Sequence, residues 1–229
     1  MKIHWKYFTK TEWCLWLGSL AAIILSFVLF DRENYVTFAA SLLGVTSLIF
    51  AAKGNPFGQA LMIVFCFMYG FISLSCRYYG EMLTYVGMTG PMAVFSLIAW
   101  LRHPYKGNKA QVEVRAFEKK DIAALVLFTA LVTFVFYFIL KTLHTDNLIP
   151  STVSVTTSFL AVYLTYKRSP LYAVAYAAND IVLIVLWLLA TVKDTAYVSM
   201  IVCFLTFLAN DIYGYINWRR LYREQNDNH

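Results

Sequence analysis

The sequence predicts an all-α integral membrane protein with eight transmembrane helices. Of its 229 residues, 60% are hydrophobic and only 14% are charged, whereas about a quarter of an ordinary soluble domain is charged. The apolar residues form eight long blocks, which is more than a soluble chain of this length could bury. A bilayer core about 30 Å thick needs about 20 apolar residues per helix, so each block is long enough to span it.

The spans follow one another with short connectors. The first span follows Lys2, Lys6 and Lys10, as the apolar region of a signal peptide follows basic residues. Its end, FVLFDREN, has no cleavage pattern of small residues, so we expect it to remain as a membrane helix. Pro56 and Pro170 stand at the starts of spans three and seven, where proline is tolerated. We place the spans at residues 12–30, 35–52, 57–76, 79–101, 121–143, 149–167, 170–192 and 196–218.

The basic residues predict the orientation of the chain. Of the 19 Lys and Arg residues, only Arg32, Arg77, Lys141 and Lys193 lie on one side of the membrane, and the rest lie on the side of the two termini. Basic connectors stay in the cytoplasm, so both termini and the 102–120 connector are predicted to be cytoplasmic. Basic residues there are also suited to anionic lipid. No interleaving of aromatic and basic residues indicates nucleic acid as a partner.

A weak internal repeat relates the two halves of the chain. The segment LLGVTSLIFAAKGNPFG (42–58) is similar to TTSFLAVYLTYKRSPLY (156–172), which aligns Lys53 with Lys167 at an offset of 114 residues. Farther along, Trp100 aligns with Trp218 at an offset of 118. The alternative is that both similarities reflect the ordinary residues of helix ends. A true repeat would group spans 2–4 and spans 6–8 into two triplets.

The repeat organises the chain as one transmembrane transporter domain covering residues 1–229. An even number of spans separates the two triplets, so they have the same orientation and are related by an axis along the membrane normal. Some transporters use such parallel repeats and bind their substrate between them. The predicted parts are an extra N-terminal helix at 12–30, repeat 1 at 35–101, a linker helix at 121–143 and repeat 2 at 149–218.

Two Asn-Asp pairs lie deep inside spans seven and eight. They are Asn179-Asp180, within AYAANDIVLIVLW, and Asn210-Asp211. An ionisable side chain at the centre of a span costs about 2.5–3.5 kcal/mol on insertion scales, which makes it a candidate functional residue. Counted along the helices, Asn179 lies about 13 Å and Asn210 about 12 Å from the predicted cytoplasmic ends of their spans.

Helical spacing places aromatic and polar residues beside each asparagine. Tyr172, Tyr176 and Trp187 share the arc of Asn179, while Tyr213 and Asn217 share that of Asn210. In one interpretation these side chains line a pocket for an uncharged or cationic organic solute, because Asn offers a donor and an acceptor and aromatic rings favour cations. In the other, they are hydrogen bonds between helices, each contributing less than about 2 kcal/mol.

We expect the asparagines to contact substrate and the two aspartates to have a structural role. Asp180 and Asp211 would each bond a hydroxyl or an indole on a neighbouring helix. Span four adds Thr84, Tyr85 and Thr89, with a kink expected at Pro91. Its Glu81 is close to the outer end and is expected to be solvated, and Trp100 and Trp218 are expected in the interfacial aromatic belt.

The segments AYAANDIVLIVLW and LANDIYGYINWRR, with YYGEMLTYVGMTGPMAVFSLIAWLRHPYKG (78–107), resemble the PnuC-type vitamin transporters. The resemblance covers nearly the whole chain in span count and repeat layout. It implies a fold related to the SWEET sugar carriers, with facilitated diffusion of an unphosphorylated vitamin or nucleoside and trapping by a cytosolic kinase. Of the family's site residues, it implies Asn179, Trp187, Asn210 and Tyr213 as substrate contacts.

With this resemblance, we expect a uniporter for nicotinamide riboside or a related nucleoside-like vitamin, working by alternating access in a bacterial cytoplasmic membrane. Tyr176, Thr89 and Asn217 complete the predicted substrate site. Many relatives have Gln or Asn in span four, where this chain has Thr84 and Thr89, so thiamine, riboflavin and deoxynucleosides stay open as substrates. Two further alternatives are a proton-coupled symporter using Asp180 or Asp211, and a membrane enzyme or receptor-like scaffold.

No cofactor is expected. No phosphate-binding loop or catalytic motif is present, so we do not expect an enzyme. The four histidines lie in tails and connectors without ligand spacing, which predicts no metal site. The expected partners are the small-molecule substrate and the lipid bilayer, and the sequence leaves open a homo-oligomer such as a trimer.

Overall fold

A computed structural model describes residues 7–76, 78–145 and 147–227. Within these ranges, eight helical stretches are long and apolar enough to cross a membrane, which confirms the predicted count. Lys2, Lys6 and Arg77 of the charge count lie outside the described residues. The helices are α1 (Lys10–Phe30), α2 (Tyr35–Ala52), α3 (Pro56–Ser75), α4 (Tyr79–Leu83), α5 (Gly90–Arg102), α6 (Lys119–Thr142), α7 (Leu148–Tyr166), α8 (Tyr172–Thr191) and α9 (Val198–Asn226).

The eighth span departs most from its expected limits. The other span ends agree with the prediction to within two residues, whereas α9 continues eight residues past the expected end at 218. Its last two turns leave the apolar block but stay helical because Leu221 and Gln225 are buried. Gln225 Oε1 accepts a hydrogen bond from the Val114 backbone N–H at 2.7 Å, and its Nε2 donates to the Val112 carbonyl at 3.1 Å.

The 102–120 connector is therefore tied to the bundle. It forms a small antiparallel hairpin of β1 (Pro104–Tyr105) and β2 (Asn108–Val112). The Val112 N–H then donates to the carbonyl of Gly54, in the α2–α3 turn, at 2.9 Å. We call the end of the bundle that carries this connector the basic end, because it also holds the turns with Lys53 and Lys167. The opposite end carries the α1–α2, α3–α4, α6–α7 and α8–α9 connectors.

Span four is broken in its middle. Between α4 and α5, residues Thr84–Thr89 form a π-helix, where a simple kink at Pro91 was expected. Proline cannot donate a backbone hydrogen bond and crowds the preceding turn, and a wider turn before it relieves both problems. π-Helical turns are frequent at functional sites, so this segment is of interest beyond its shape.

The helices pack as two sets of three spans with two peripheral helices. α2 and α3 pack with each other and α5 packs on α3, while α8 packs between α7 and α9. The sets meet through α2 against α9 and through α5 against α7. α6 packs mainly on α7, and α1 packs on α2 and α9. This is the predicted arrangement of two bundles, a linker helix and an extra helix. The exact limits of the repeats stay a prediction.

Trp100 and Trp218 join the two sets rather than forming an interfacial belt, so that expectation is wrong. Both are fully buried. The Trp100 indole N–H donates to the Thr165 carbonyl at the end of α7 at 3.0 Å, and that of Trp218 to the Ala51 carbonyl at the end of α2 at 2.9 Å. Each tryptophan thus bonds the first helix of the other set. Their rings also meet, with centroids 5.3 Å apart.

The aligned lysines make matching ion pairs at the basic end. Lys53 Nζ lies 2.9 Å from Glu12 Oε1, and Lys167 Nζ lies 3.0 Å from Asp121 Oδ1. Each acid stands at the third residue of its helix, in a capping box with Thr9 or Glu118. α1 is therefore held to the start of one set in the way that α6 is held to the start of the other.

Gly58 allows a close approach between α2 and α3. A Cβ atom there would lie 2.5 Å from the backbone nitrogen of Ala51 and 2.8 Å from the carbonyl oxygen of Ser47. We expect Gly58→Ala to lower the thermal unfolding temperature of the purified protein, because overpacking of this kind costs about 1–3 kcal/mol. Gly18→Ala is the matched control, since a Cβ at Gly18 meets nothing within 4 Å. Equal melting of both variants would contradict the close approach.

Candidate functional site

A cluster of polar and aromatic side chains lies where α3, span four, α7 and α8 meet. It links the two sets of helices through a chain of contacts. We call it the central cluster and define it as Tyr69, Glu81, Ser154, Asn179 and Trp187. All five are almost completely buried. The sequence places two of its members, Asn179 and Trp187, at the predicted substrate site.

Asn179 is held by the hydroxyl groups of α7. Its Oδ1 accepts hydrogen bonds from Thr157 Oγ1 at 2.8 Å and Ser158 Oγ at 3.0 Å, with Ser154 Oγ at 3.5 Å. These hydroxyls come from the stretch STVSVTTS, whose small residues let α8 approach closely. The amide is thus oriented by three weak donors that could turn to other acceptors, such as their own helix backbone.

Trp187 contributes an aromatic wall. Its indole N–H donates to the hydroxyl of Tyr69 at 3.0 Å. Its ring lies 5.3 Å from that of Tyr78 and 5.4 Å from that of Tyr197, between centroids. The Tyr69 ring in turn lies 4.3 Å from that of Tyr85 in the π-helical segment. The result is a set of four tyrosines and a tryptophan around one region of the bundle.

Glu81 is buried in this region, so its expected exposure to solvent is wrong. Only 2% of its surface is accessible. It lies near Tyr69 and Ser154, yet within the described ranges neither carboxylate oxygen has a hydrogen-bond partner of good geometry, because the Ser154 hydroxyl is directed to Asn179. The sequence placed Glu81 by its distance from the helix end, but α7 and the α6–α7 connector approach α4 here: a Cβ on neighbouring Gly80 would lie 3.5 Å from Ser151 Cβ and 3.6 Å from Thr145 Cγ2.

Asp180 on α8 and Asp211 on α9 lie close to each other, and within the described ranges neither is hydrogen-bonded to a hydroxyl or an indole as expected. Both are buried and close enough to interact electrostatically. Asp180 Oδ2 has no hydrogen-bond partner within the described ranges. Two buried carboxyl groups side by side repel each other when both are ionised. Their structural role stays a prediction.

The other predicted substrate contacts on α9 are directed to different neighbours. Asn210 Nδ2 donates to Ser19 Oγ on α1 at 3.0 Å, and Tyr213 Oη donates to Glu12 Oε1, also on α1, at 2.9 Å. Asn217 Nδ2 donates to the Ala52 carbonyl at 2.8 Å. The structure therefore brings Asn179 and Trp187 into one cluster but directs these three side chains toward α1 and the end of α2.

Tyr176 and Thr89 lie on the central side of their helices. Tyr176 is near Cys66 and the Asp180–Asp211 pair. Thr89 closes the π-helical segment, is 2% accessible, and its hydroxyl oxygen has no hydrogen-bond partner within the described ranges. Their contact with substrate stays a prediction.

The sequence missed Tyr69 as a member of the cluster. It stands alone among apolar residues of α3, and one tyrosine in a span carries no signal of its own. Ser154 and Ser158 lie on one face of the STVSVTTS stretch, but their bonds to Asn179 depend on which face of α7 meets α8. A groove of about 710 Å³ also lies along α6 and α7, with Thr133 and Thr156 in its wall. It is open and almost wholly apolar, so it suits lipid.

Comparisons with known proteins agree with one another. A family model described as nicotinamide mononucleotide transporter matches residues 34–220. The chain is 24% identical over 221 residues to the nicotinamide riboside transporter PnuC of Neisseria mucosa, a match that covers 95% of this chain and 82% of that protein. It is also similar to the crystal structure of the vitamin B3 transporter PnuC, with a TM-score of 0.83 and 23% identity over 95% of this chain and 94% of that one.

Proposed function

The chain belongs to the nicotinamide mononucleotide transporter family, and we propose that it carries nicotinamide riboside or a closely related nucleoside-like vitamin across the membrane. The multi-pass fold and the family agree on a transporter. The substrate is proposed from the similarity to the nicotinamide riboside transporter of Neisseria mucosa and from the chemistry of the central cluster. That cluster offers an amide, hydroxyls and aromatic rings, which suit a carboxamide, a ribose and a planar ring.

The charge of the interior favours the riboside over the mononucleotide. Nicotinamide mononucleotide carries a phosphate group, which in proteins is bound by Arg, Lys or helix N-termini. No Lys or Arg is among the buried residues of the described ranges, whereas Glu81, Asp180 and Asp211 are all buried. A phosphate there would face acidic groups without a compensating charge, so this observation supports an unphosphorylated substrate.

We further propose facilitated diffusion by alternating access. Two similar helix sets that meet through α2–α9 and α5–α7 could rock about the central cluster, as parallel-repeat transporters do. Because a uniporter only equilibrates its substrate, net import needs a cytosolic kinase that traps the riboside as its phosphate. Such trapping also fits an interior that rejects phosphate, because the product could not leave by the same route.

The proposed setting is a bacterial cytoplasmic membrane with both termini in the cytoplasm. The support is the concentration of Lys and Arg at the basic end, since basic connectors are retained on the cytoplasmic side. Asn179, Trp187, Tyr176 and Thr89 are the proposed substrate contacts nearest the central cluster. Asn210, Tyr213 and Asn217 stay predicted contacts, and assembly into a homo-oligomer such as a trimer stays a prediction.

Substrate choice can be measured on the purified full-length protein by thermal unfolding with candidate ligands. A ligand that binds the folded state raises the unfolding temperature by mass action. We expect nicotinamide riboside to raise it, and nicotinamide mononucleotide, thiamine, riboflavin and deoxynucleosides to have much smaller effects at equal concentration. A shift with the mononucleotide as large as that with the riboside would contradict the argument from interior charge.

Proton coupling is a second candidate because two buried carboxyl groups, those of Asp180 and Asp211, lie side by side inside the membrane. Uptake into liposomes distinguishes it from facilitated diffusion. We expect riboside uptake to be unchanged when an ionophore collapses an imposed proton gradient. If wild-type uptake is lost when the gradient collapses, transport is coupled to protons. If the Asp180→Asn variant then keeps its gradient-driven uptake, this pair is not the coupling site, although transport is still coupled.

A further inference from the structure

We propose that Glu81 is the charge-selecting residue of the substrate site, and that it pairs with the fixed positive charge of a pyridinium nucleoside. This inference rests on the proposed function, because nicotinamide riboside is an N-glycosyl pyridinium and so a permanent cation. It extends that function by naming the group that distinguishes the charged ring from an uncharged ring of the same size. The predicted substrate contacts do not include Glu81.

The first support is the isolation of the carboxyl group. Glu81 is almost wholly buried in a membrane-spanning segment, and within the described ranges both of its oxygens lack a hydrogen-bond partner of good geometry, although Ser154 lies close by. A buried carboxylate without a partner is costly and in a membrane protein marks a candidate functional site. The other buried acids differ: Glu12 is paired with Lys53 and Asp121 with Lys167, while Asp180 and Asp211 lie beside each other.

The second support is the aromatic surroundings. Glu81 lies near Tyr69 and Tyr85, whose rings are 4.3 Å apart between centroids, and Tyr69 accepts the Trp187 indole N–H. Aromatic faces attract organic cations, and the attraction strengthens where water is excluded. A carboxylate beside such faces is suited to a delocalised cation rather than to a metal ion, which would need several oxygen ligands.

The third support is the absence of a competing cation. Lys53 and Lys167 are engaged with Glu12 and Asp121 at the basic end. No Lys or Arg is buried in the described ranges, so these parts of the chain do not supply the missing charge from a buried side chain. The substrate itself can supply it.

The fourth support is the continuity from Glu81 to the proposed amide contact. Ser154 lies beside Glu81 and also reaches Asn179 Oδ1 at 3.5 Å. The pyridinium ring and the carboxamide of nicotinamide are part of one rigid group. A site that places a carboxylate and an amide on either side of one serine can therefore contact both features of that group.

The test compares two ligands that differ by one hydride. Nicotinamide riboside is a cation, and its 1,4-dihydro form has the same ribose and carboxamide but no charge. Binding of each to full-length wild-type protein and to Glu81→Gln is measured by calorimetry near pH 8. We expect Glu81→Gln to weaken binding of the cation at least about tenfold and to change binding of the dihydro form by no more than about twofold, since charge pairing is lost only for the cation.

Glu33→Gln is the matched control, because Glu33 is an exposed acid in the α1–α2 connector, at the same end of the bundle as Glu81. It removes the same charge from the surface and should leave both affinities unchanged. Equal weakening of both ligands by Glu81→Gln would show hydroxyl binding or a structural role and overturn the inference. Wild-type protein that binds both forms equally would also overturn it while leaving the proposed function in place. Failure to bind either form would overturn both.

Discussion

Asn179→Ala is expected to weaken nicotinamide riboside binding and slow its uptake by about a hundredfold, the largest functional effect among our predictions. A carboxamide offers both a donor and an acceptor, and each buried group left unpaired costs about 1–3 kcal/mol. Uptake into liposomes, with initial rates over a range of concentrations, measures the change. Normal kinetics in this variant would exclude Asn179 from the substrate site.

Asn210→Ala is the informative comparison for that measurement. Both asparagines are buried and both follow the same sequence pattern, but Asn210 bonds Ser19 on α1. If its role is to hold α1, the variant should lose thermal stability and keep its affinity for the riboside. If its affinity falls as well, the substrate site extends to α9, as the sequence predicts.

Trp218→Ala is expected to cause the largest loss of stability. Trp218 is fully buried between the two helix sets, and truncation of a core tryptophan costs about 3–5 kcal/mol. Trp218→Phe keeps a ring but loses the hydrogen bond to the Ala51 carbonyl, which is worth about 1 kcal/mol. Thermal unfolding in detergent should therefore order the three proteins as wild type, Phe variant and Ala variant.

Ile216→Ala is the control for this series, because Ile216 is on the same helix with 61% of its surface exposed. Its removal should change the unfolding temperature little. An interfacial belt residue would behave like this control. A Trp218→Ala variant as stable as Ile216→Ala would thus restore the belt interpretation and contradict the contact between the two sets.

The spans and their grouping were open to prediction because they follow from one-dimensional properties. The length of an apolar block against the thickness of the bilayer determines how many helices there are. The contrast between four and fifteen basic residues predicts which side is cytoplasmic, and that orientation stays a prediction. The aligned lysines likewise marked equivalent positions, and their ion pairs with Glu12 and Asp121 show the equivalence in space.

The site was only partly predictable. Asn179 and Trp187 were identified because an amide in an apolar run is costly and helical spacing joins the two residues. The sequence did not identify Tyr69 as a site residue or predict the burial of Glu81, since both depend on which helix covers which face. A residue such as Glu81, two positions from a helix end, can be solvated or buried. In this protein it is buried because α7 approaches α4 closely at Gly80.

The sequence by itself determined that the chain is a membrane protein of eight spans with polar residues in its interior, because the bilayer imposes a requirement on every span separately. Only the tertiary structure decided what those polar residues bond to. Asn179 and Asn210 have the same local sequence and similar depth, yet one is bonded to α7 and the other to α1. The direction of each side chain follows from the packing of neighbouring helices, and packing depends on contacts between residues far apart in the chain.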